Sequence, residues 1–378
     1  MSDKKQTLIF SIAHRYDLVF FLRLIRESDV KEQYNIKVIF FVHKHFKDKL
    51  DIANNILSKI SNDIVYIDQT LTPYYQKNIF KNIYLGLRMK KLLKKNFFKN
   101  EHILLLDKSH LHSNILLNFF NKPILFQFID NSFNKRLYKE RFFKTAAANT
   151  INLCLKNRFI KIFQLKSTTY IEHYETNIKY LSVIYINDTW NKDVKSINFS
   201  KPEIFSSRKI VIFGSRYLGW GLKKNILKKI SQYYFSIFEE FKNTHEFYYL
   251  EHPKEEGKEF KEVNHIFKGR LNLVTNYLNS EHYLIENNNV DHCFSIGSTS
   301  SKSAYQMGFN SKIAYRTVLQ DNEMLLGFEG IFEDMGDNIH INSSFSDLNK
   351  IVVEQKSLKH NFNHLFNTLK ENHEVSNL

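Results

Sequence analysis

Cysteine, proline and glycine are scarce in this sequence: its 378 residues include 2 Cys, 4 Pro and 11 Gly. Two thiols, Cys154 and Cys293, exclude a disulfide framework and a cysteine-based zinc cluster. No apolar run reaches the roughly 18 residues of a membrane-spanning helix. There is no Cys-x-x-Cys pair, no His-Glu-x-x-His and no Walker loop. An Asp-x-Asp carboxylate pair, the usual holder of a nucleotide-bound cation, is also missing. The chemistry expected is therefore metal-independent, with no cofactor. The start, Met1-Ser2-Asp3-Lys4-Lys5-Gln6, leads straight into the strand-like run Thr7–Ile12 without a signal-peptide pattern. A cytoplasmic protein is expected.

Positive charge is abundant. Lys and Arg number 54 against 39 Asp and Glu, a formal net charge of +15. Such a surface favours acidic partners: nucleic acid, anionic lipid or an anionic substrate. Between Gly86 and Lys99, Arg88, Lys90, Lys91, Lys94, Lys95 and Lys99 alternate with Leu87, Met89, Leu92, Leu93, Phe97 and Phe98. On a helix this spacing gives an apolar stripe and a basic face, suited to an anionic membrane surface or, more plainly, to core packing with a solvated face. Lys135, Arg136, Lys139, Arg141 and Lys144 form a second basic segment. No recognised nucleic-acid motif accompanies them.

The chain reads as two α/β domains. Strand-like runs at Leu8–Ile12, Lys37–Phe41, Ile64–Ile67, Ile103–Leu106 and Ile124–Ile129 alternate with helical patterns, notably 74–98 and 111–120. Short apolar strands separated by helices predict a parallel sheet covered on both faces. Residues 190–208 are polar and weakly periodic, so a boundary is expected near residue 200. The pattern restarts with a strand at Lys209–Phe213 and a helix ending near Phe241. Strands follow near Tyr248, at His292–Ser295 and at Lys312–Tyr315. A last helix, 345–372, is expected to pack back on the first domain. The predicted domains are 1–200 and 201–378. Of the 11 glycines, only Gly86 precedes Gly214, so the second domain is the better candidate for close backbone approach to a phosphate.

Three segments of that domain carry candidate chemistry. Glu246–Leu250 is followed by Glu251-His252-Pro253, and Pro253 favours extended backbone at His252. An imidazole at a strand end can donate to a phosphate or act as a general acid; an ordinary turn histidine is the plainer reading. Gly297-Ser298-Thr299-Ser300-Ser301 lies between a strand and a helix-like segment. Hydroxyls and free N–H groups at a helix start bind phosphate, although one hydroxyl is expected to serve as an N-cap. Gly214-Ser215-Arg216-Tyr217-Leu218-Gly219-Trp220-Gly221 follows the first strand and matches no dinucleotide fingerprint. In the first domain Asp130 ends a strand, where it either takes a proton from an acceptor hydroxyl or caps a turn. Asp17, Asp107 and His14 are the next candidates.

Together these motifs resemble those of bacterial GT-B sialyltransferases, including polysialyltransferases. That group shows an acidic motif in the first domain, then His-Pro, then a Ser-Ser/Thr pair. The matching positions are Asp130, His252-Pro253 and Ser298-Thr299. The family's two acids followed by Gly are replaced here by Asp130-Asn131-Ser132. Glu281 resembles a position near the family's nucleotide pocket. The resemblance implies two Rossmann-like domains facing a cleft. It also implies inverting transfer of a nonulosonic acid from a CMP donor to a bacterial surface glycan, such as capsule or lipooligosaccharide. Asp130 would then be the base and His252 the donor to the departing phosphate. Pro253, Gly214, Gly297, Ser298, Thr299, Ser300 and Glu281 would line the donor site. CMP-Kdo transfer and CDP-glycerol-type polymer transfer are the alternatives among enzymes. A basic nucleic-acid-binding protein is the alternative of another class.

Overall fold

The computed structural model describes residues 5–27, 29–42, 46, 48–68, 79–106, 115–116, 118–128, 150, 153–154, 182–186, 196–197, 209–253, 255, 257–287, 289–307, 309–320, 324–332, 335 and 339–341. The chain divides into two compact units, with Asn198 in the first and Phe199 opening the second. The predicted C-terminal helix, the second basic segment, Asp107 and Asp130 lie outside the described residues.

The first unit holds seven strands: β1 (Gln6–Ile12), β2 (Tyr34–Val42), β3 (Asp63–Asp68), β4 (His102–Leu106), β5 (Lys122–Phe128), β6 (Ser182–Ile186) and β7 (Ser196–Ile197). Their order is β3-β2-β1-β4-β5-β6-β7 and every pairing is parallel. Leu8, Ile9, Phe10, Ser11 and Ile12 are buried in succession, as a parallel sheet covered on both faces requires. The sequence suggested neither β6 nor β7; β7 lies within the polar stretch read as a boundary.

The second unit holds β8 (Lys209–Phe213), β9 (Glu246–Leu250), β10 (Leu271–Val274), β11 (Val290–Ser295) and β12 (Asn310–Ile313). Their order is β10-β9-β8-β11-β12, again all parallel. Alternate residues of β8 feed separate cores: Ile210 and Ile212 one, Val211 and Phe213 the other. The Lys224–Phe241 helix buries Ile226, Ile230, Tyr233, Tyr234, Ile237, Phe238 and Phe241. Each such side chain contributes about 1.5–3 kcal/mol on burial. The predicted strand Lys312–Tyr315 ends at Ile313, and Tyr315 opens a short helix whose Thr317 and Val318 N–H groups donate to Ala314 O.

Candidate functional site

Strand order reverses beside β8: the chain runs outward through β9 and β10, then crosses to β11 and β12. In open α/β sheets ligands bind beyond the carboxyl ends of the strands at such a switch point. Here the loops after β8, β9 and β11 meet.

The β8 loop is closely held. The Gly214 N–H donates to Leu250 O at 2.9 Å. A Cβ on Gly214 would stand 2.3 Å from Glu255 Oε2, 2.8 Å from the His252 nitrogen and 2.8 Å from the Tyr249 hydroxyl. Only glycine fits there. Ser215, buried, accepts the Ile296 and Gly297 N–H groups on its Oγ at 3.2 and 3.1 Å. Arg216, exposed, follows in the left-handed region at φ 60°. That conformation costs a non-glycine residue about 1–2 kcal/mol, and such residues gather at functional sites.

Two buried carboxylates hold these loops. Glu255 accepts the Tyr249 hydroxyl (2.9 Å) and His252 N–H (3.2 Å) on Oε2, and Phe260 N–H (2.7 Å) on Oε1. Glu259 accepts Ser215 N–H and Tyr217 N–H, each at 2.8 Å. Burial pushes the Glu259 carboxyl up to about 8; the nearby Glu255 charge adds to this and the two amides oppose it. Burial raises Glu255 as well. Neither carboxylate stood out in the sequence, and Ser215 and Arg216 were visible there only as part of the Gly214–Gly221 loop. The left-handed Arg216 and the remote partners of Glu259 leave no local signature.

His252 is half-buried at the end of β9 and Pro253 is exposed. Their loop is turned back by the Glu255 N–H, which donates to His252 O at 2.9 Å. The serine-rich turn is mostly self-satisfied. Ser298 is buried and caps the Thr299–Gln306 helix, accepting Ser300 N–H at 3.3 Å. The Ser280 hydroxyl donates to Glu281 at 3.1 Å and its oxygen lies 2.7 Å from Ser300 Oγ. Ser301 pairs with Ser295 at 2.6 Å. Gly297 is needed because a Cβ there would meet the Phe328 ring at 2.4 Å. Thr299 is exposed, and its hydroxyl and N–H take no partner among the described residues. The structure thus joins Gly214, His252 and Gly297 through adjoining backbone. It carries Glu281 to Ser300 through Ser280. In the first unit Asp17 is buried and accepts Ala13 N–H and His14 N–H, each at 2.8 Å, the capping arrangement of a helix start.

No protein-family model and no curated protein matches the chain. Solved structures do match. The GT-B domain of a sialyltransferase from Photobacterium damselae aligns with 90% of this chain and 100% of its own, at 10% identity and TM-score 0.51. An α/β-galactoside α-2,3-sialyltransferase from Photobacterium phosphoreum aligns with 91% and 100%, at 11% identity and TM-score 0.48. UDP-GlcNAc 2-epimerase from Neisseria meningitidis aligns with 97% and 100%, at 12% identity and TM-score 0.45. The first of these shows the fold: two Rossmann-like units of the GT-B class.

Proposed function

We propose that the protein is an inverting glycosyltransferase that moves a nonulosonic acid from a CMP donor to a bacterial surface glycan. The observation that carries this reading is the meeting of the β8, β9 and β11 loops at the switch point, with His252, Arg216 and Thr299 among them. The donor phosphate would take Thr299, at the start of the Thr299–Gln306 helix, and the Arg216 guanidinium. His252 would give a proton or hydrogen bond to the departing phosphate oxygen. Asp130 is proposed as the base that deprotonates the acceptor hydroxyl. Displacement then forms the new glycosidic bond as the sugar–phosphate bond breaks, releasing CMP. The resemblance of the motifs supports the donor class, and the absence of an Asp-x-Asp pair supports chemistry without a metal.

Among the described residues no helix is long and apolar enough to cross a membrane. The Ile79–Asn96 helix buries Leu85, Met89 and Leu93 but exposes Phe80, Tyr84 and Leu87. Arg88 lies 5.7 Å over the Tyr84 ring, with Lys91, Lys94 and Lys95 also exposed. This apolar and basic face supports docking on an anionic membrane.

The deciding experiment incubates the protein with CMP-sialic, CMP-legionaminic and CMP-pseudaminic acids, CMP-Kdo and CDP-glycerol, with and without EDTA. Turnover of a CMP-nonulosonate that survives EDTA is expected. Turnover of CDP-glycerol alone, or RNA binding that persists at moderate salt without any turnover, would overturn the reading.

A further inference from the structure

The amino end of the second sheet carries a cluster that the donor chemistry does not use. His245 precedes β9, while Asp291 and His292 open β11. We propose that these three side chains bind a divalent transition-metal ion of the zinc type, as a structural clip between the two strands that flank β8.

His245 Nε2 lies 2.9 Å from Asp291 Oδ2, and His292 Nε2 lies 3.8 Å from it. All three ligating atoms fall within 4.8 Å of one another. Ligands around a tetrahedral ion stand roughly 3.4 Å apart, so small side-chain movements complete the set. Two imidazoles and one carboxylate suit zinc better than magnesium or calcium.

The backbone is shaped for this arrangement. In a regular strand Asp291 and His292 would point to opposite faces. Val290 pairs with Lys209 and His292 pairs with Ile210, so the register shifts at Asp291. Asp291 is the extra residue of a bulge, and bulges re-aim side chains. The imidazoles are also oriented. The Thr244 hydroxyl donates to Phe241 O at 3.4 Å, so its oxygen accepts from His245 Nδ1, 2.8 Å away. In that tautomer His245 turns its Nε2 lone pair toward Asp291 Oδ2, 2.9 Å away, an arrangement that a bound cation would satisfy. The Asn310 amide lies 2.8 Å from His292 Nδ1. With its carbonyl turned to that nitrogen, it accepts Nδ1–H and leaves Nε2 to ligate. Phe241 packs on both imidazoles, with centroids at 5.0 and 5.1 Å. Asp291 is 37% exposed, against 11% and 15% for the histidines, which gives an ion a route in and a water a place as fourth ligand.

The test strips the full chain with EDTA and titrates it with Zn²⁺ by calorimetry, following melting in parallel. One equivalent should bind and raise Tm by about 2–5 °C. Asp291→Asn and His245→Gln, each confirmed folded by circular dichroism, should weaken binding at least tenfold. No binding by the wild type, or equal binding by wild type and both variants, would overturn the proposal. The cluster would then be an imidazolium–carboxylate ion pair, whose loss lowers Tm equally with and without Zn²⁺.

Discussion

The loops that leave β1 and β8, the first strand of each sheet in chain order, are held by the same chemistry over very different distances. After β1, Asp17 accepts the N–H groups of Ala13 and His14, four and three residues away. After β8, Glu259 accepts those of Ser215 and Tyr217, 44 and 42 residues away. The first loop is organised by its own few residues. The second is tied to a distant helix, and through Ser215 Oγ to the β11 loop as well. A change anywhere in the second assembly is therefore transmitted to the others. That coupling suits a site where a phosphate must be met by groups from several loops at once.

The largest expected effect contrasts the two ends of this comparison. His252→Ala should lower transfer by about two orders of magnitude or more while leaving the melting temperature near wild type. Asp17→Ala should do the reverse, weakening the first unit by about 1 kcal/mol with little effect on the turnover of bound donor. Steady-state kinetics beside thermal melts separate the two, and equal kinetic losses would erase the contrast.

Next comes the close packing around Gly214. Gly214→Ala should destabilise by about 1–3 kcal/mol, because the added methyl meets backbone and a buried carboxylate. Gly327 has open space around its Cβ position within the Met324–Phe332 helix, so Gly327→Ala should be neutral or gain about 0.5–1 kcal/mol. Urea denaturation of the pair checks this; equal stability would mean that the β8 and β9 loops are not in firm contact.

A smaller effect tests the remote carboxylate. The Glu259 pKa stands at about 8 in the folded chain against an ordinary 4.5, so the folded state holds its proton more tightly. This group's contribution to stability is complete below about pH 4.5 and is lost as pH rises through about 8. Glu259→Gln should flatten that part of the stability–pH curve. It should also cost about 1 kcal/mol, since a carboxamide cannot accept both amides. An unchanged slope would show that Glu259 is not the titrating group.

The same difference of distance explains what was legible in the sequence. β8 was plain because Lys209–Phe213 is a short apolar, β-branched run followed by glycine, and the Lys224–Phe241 helix because its apolar residues recur at helical spacing. β10 was not, since its four residues include exposed Asn272 and Leu273 and offer no run to recognise. β6 is itself a short β-branched run, Val183-Ile184-Tyr185-Ile186, and was within reach of the sequence, whereas the two residues of β7 lie in a polar stretch and their pairing is decided by the sheet. His252 and the Ser298 cap could be read from their neighbours. Glu259 could not, because an acid at the start of a helix looks the same whether it faces water or binds a loop over forty residues upstream. The bulge at Asp291 is likewise invisible until β11 is laid against β8.

The central claim is that the carboxyl end of the second sheet holds the donor phosphate, and equilibrium titration with CMP tests it most directly. Wild type should bind CMP saturably. Thr299→Val should weaken that binding about tenfold by removing one hydroxyl contact. Arg216→Gly should weaken it at least as much while relieving the left-handed backbone, leaving stability within about 1 kcal/mol of wild type. Absence of CMP binding, or binding that neither substitution alters, would contradict the account.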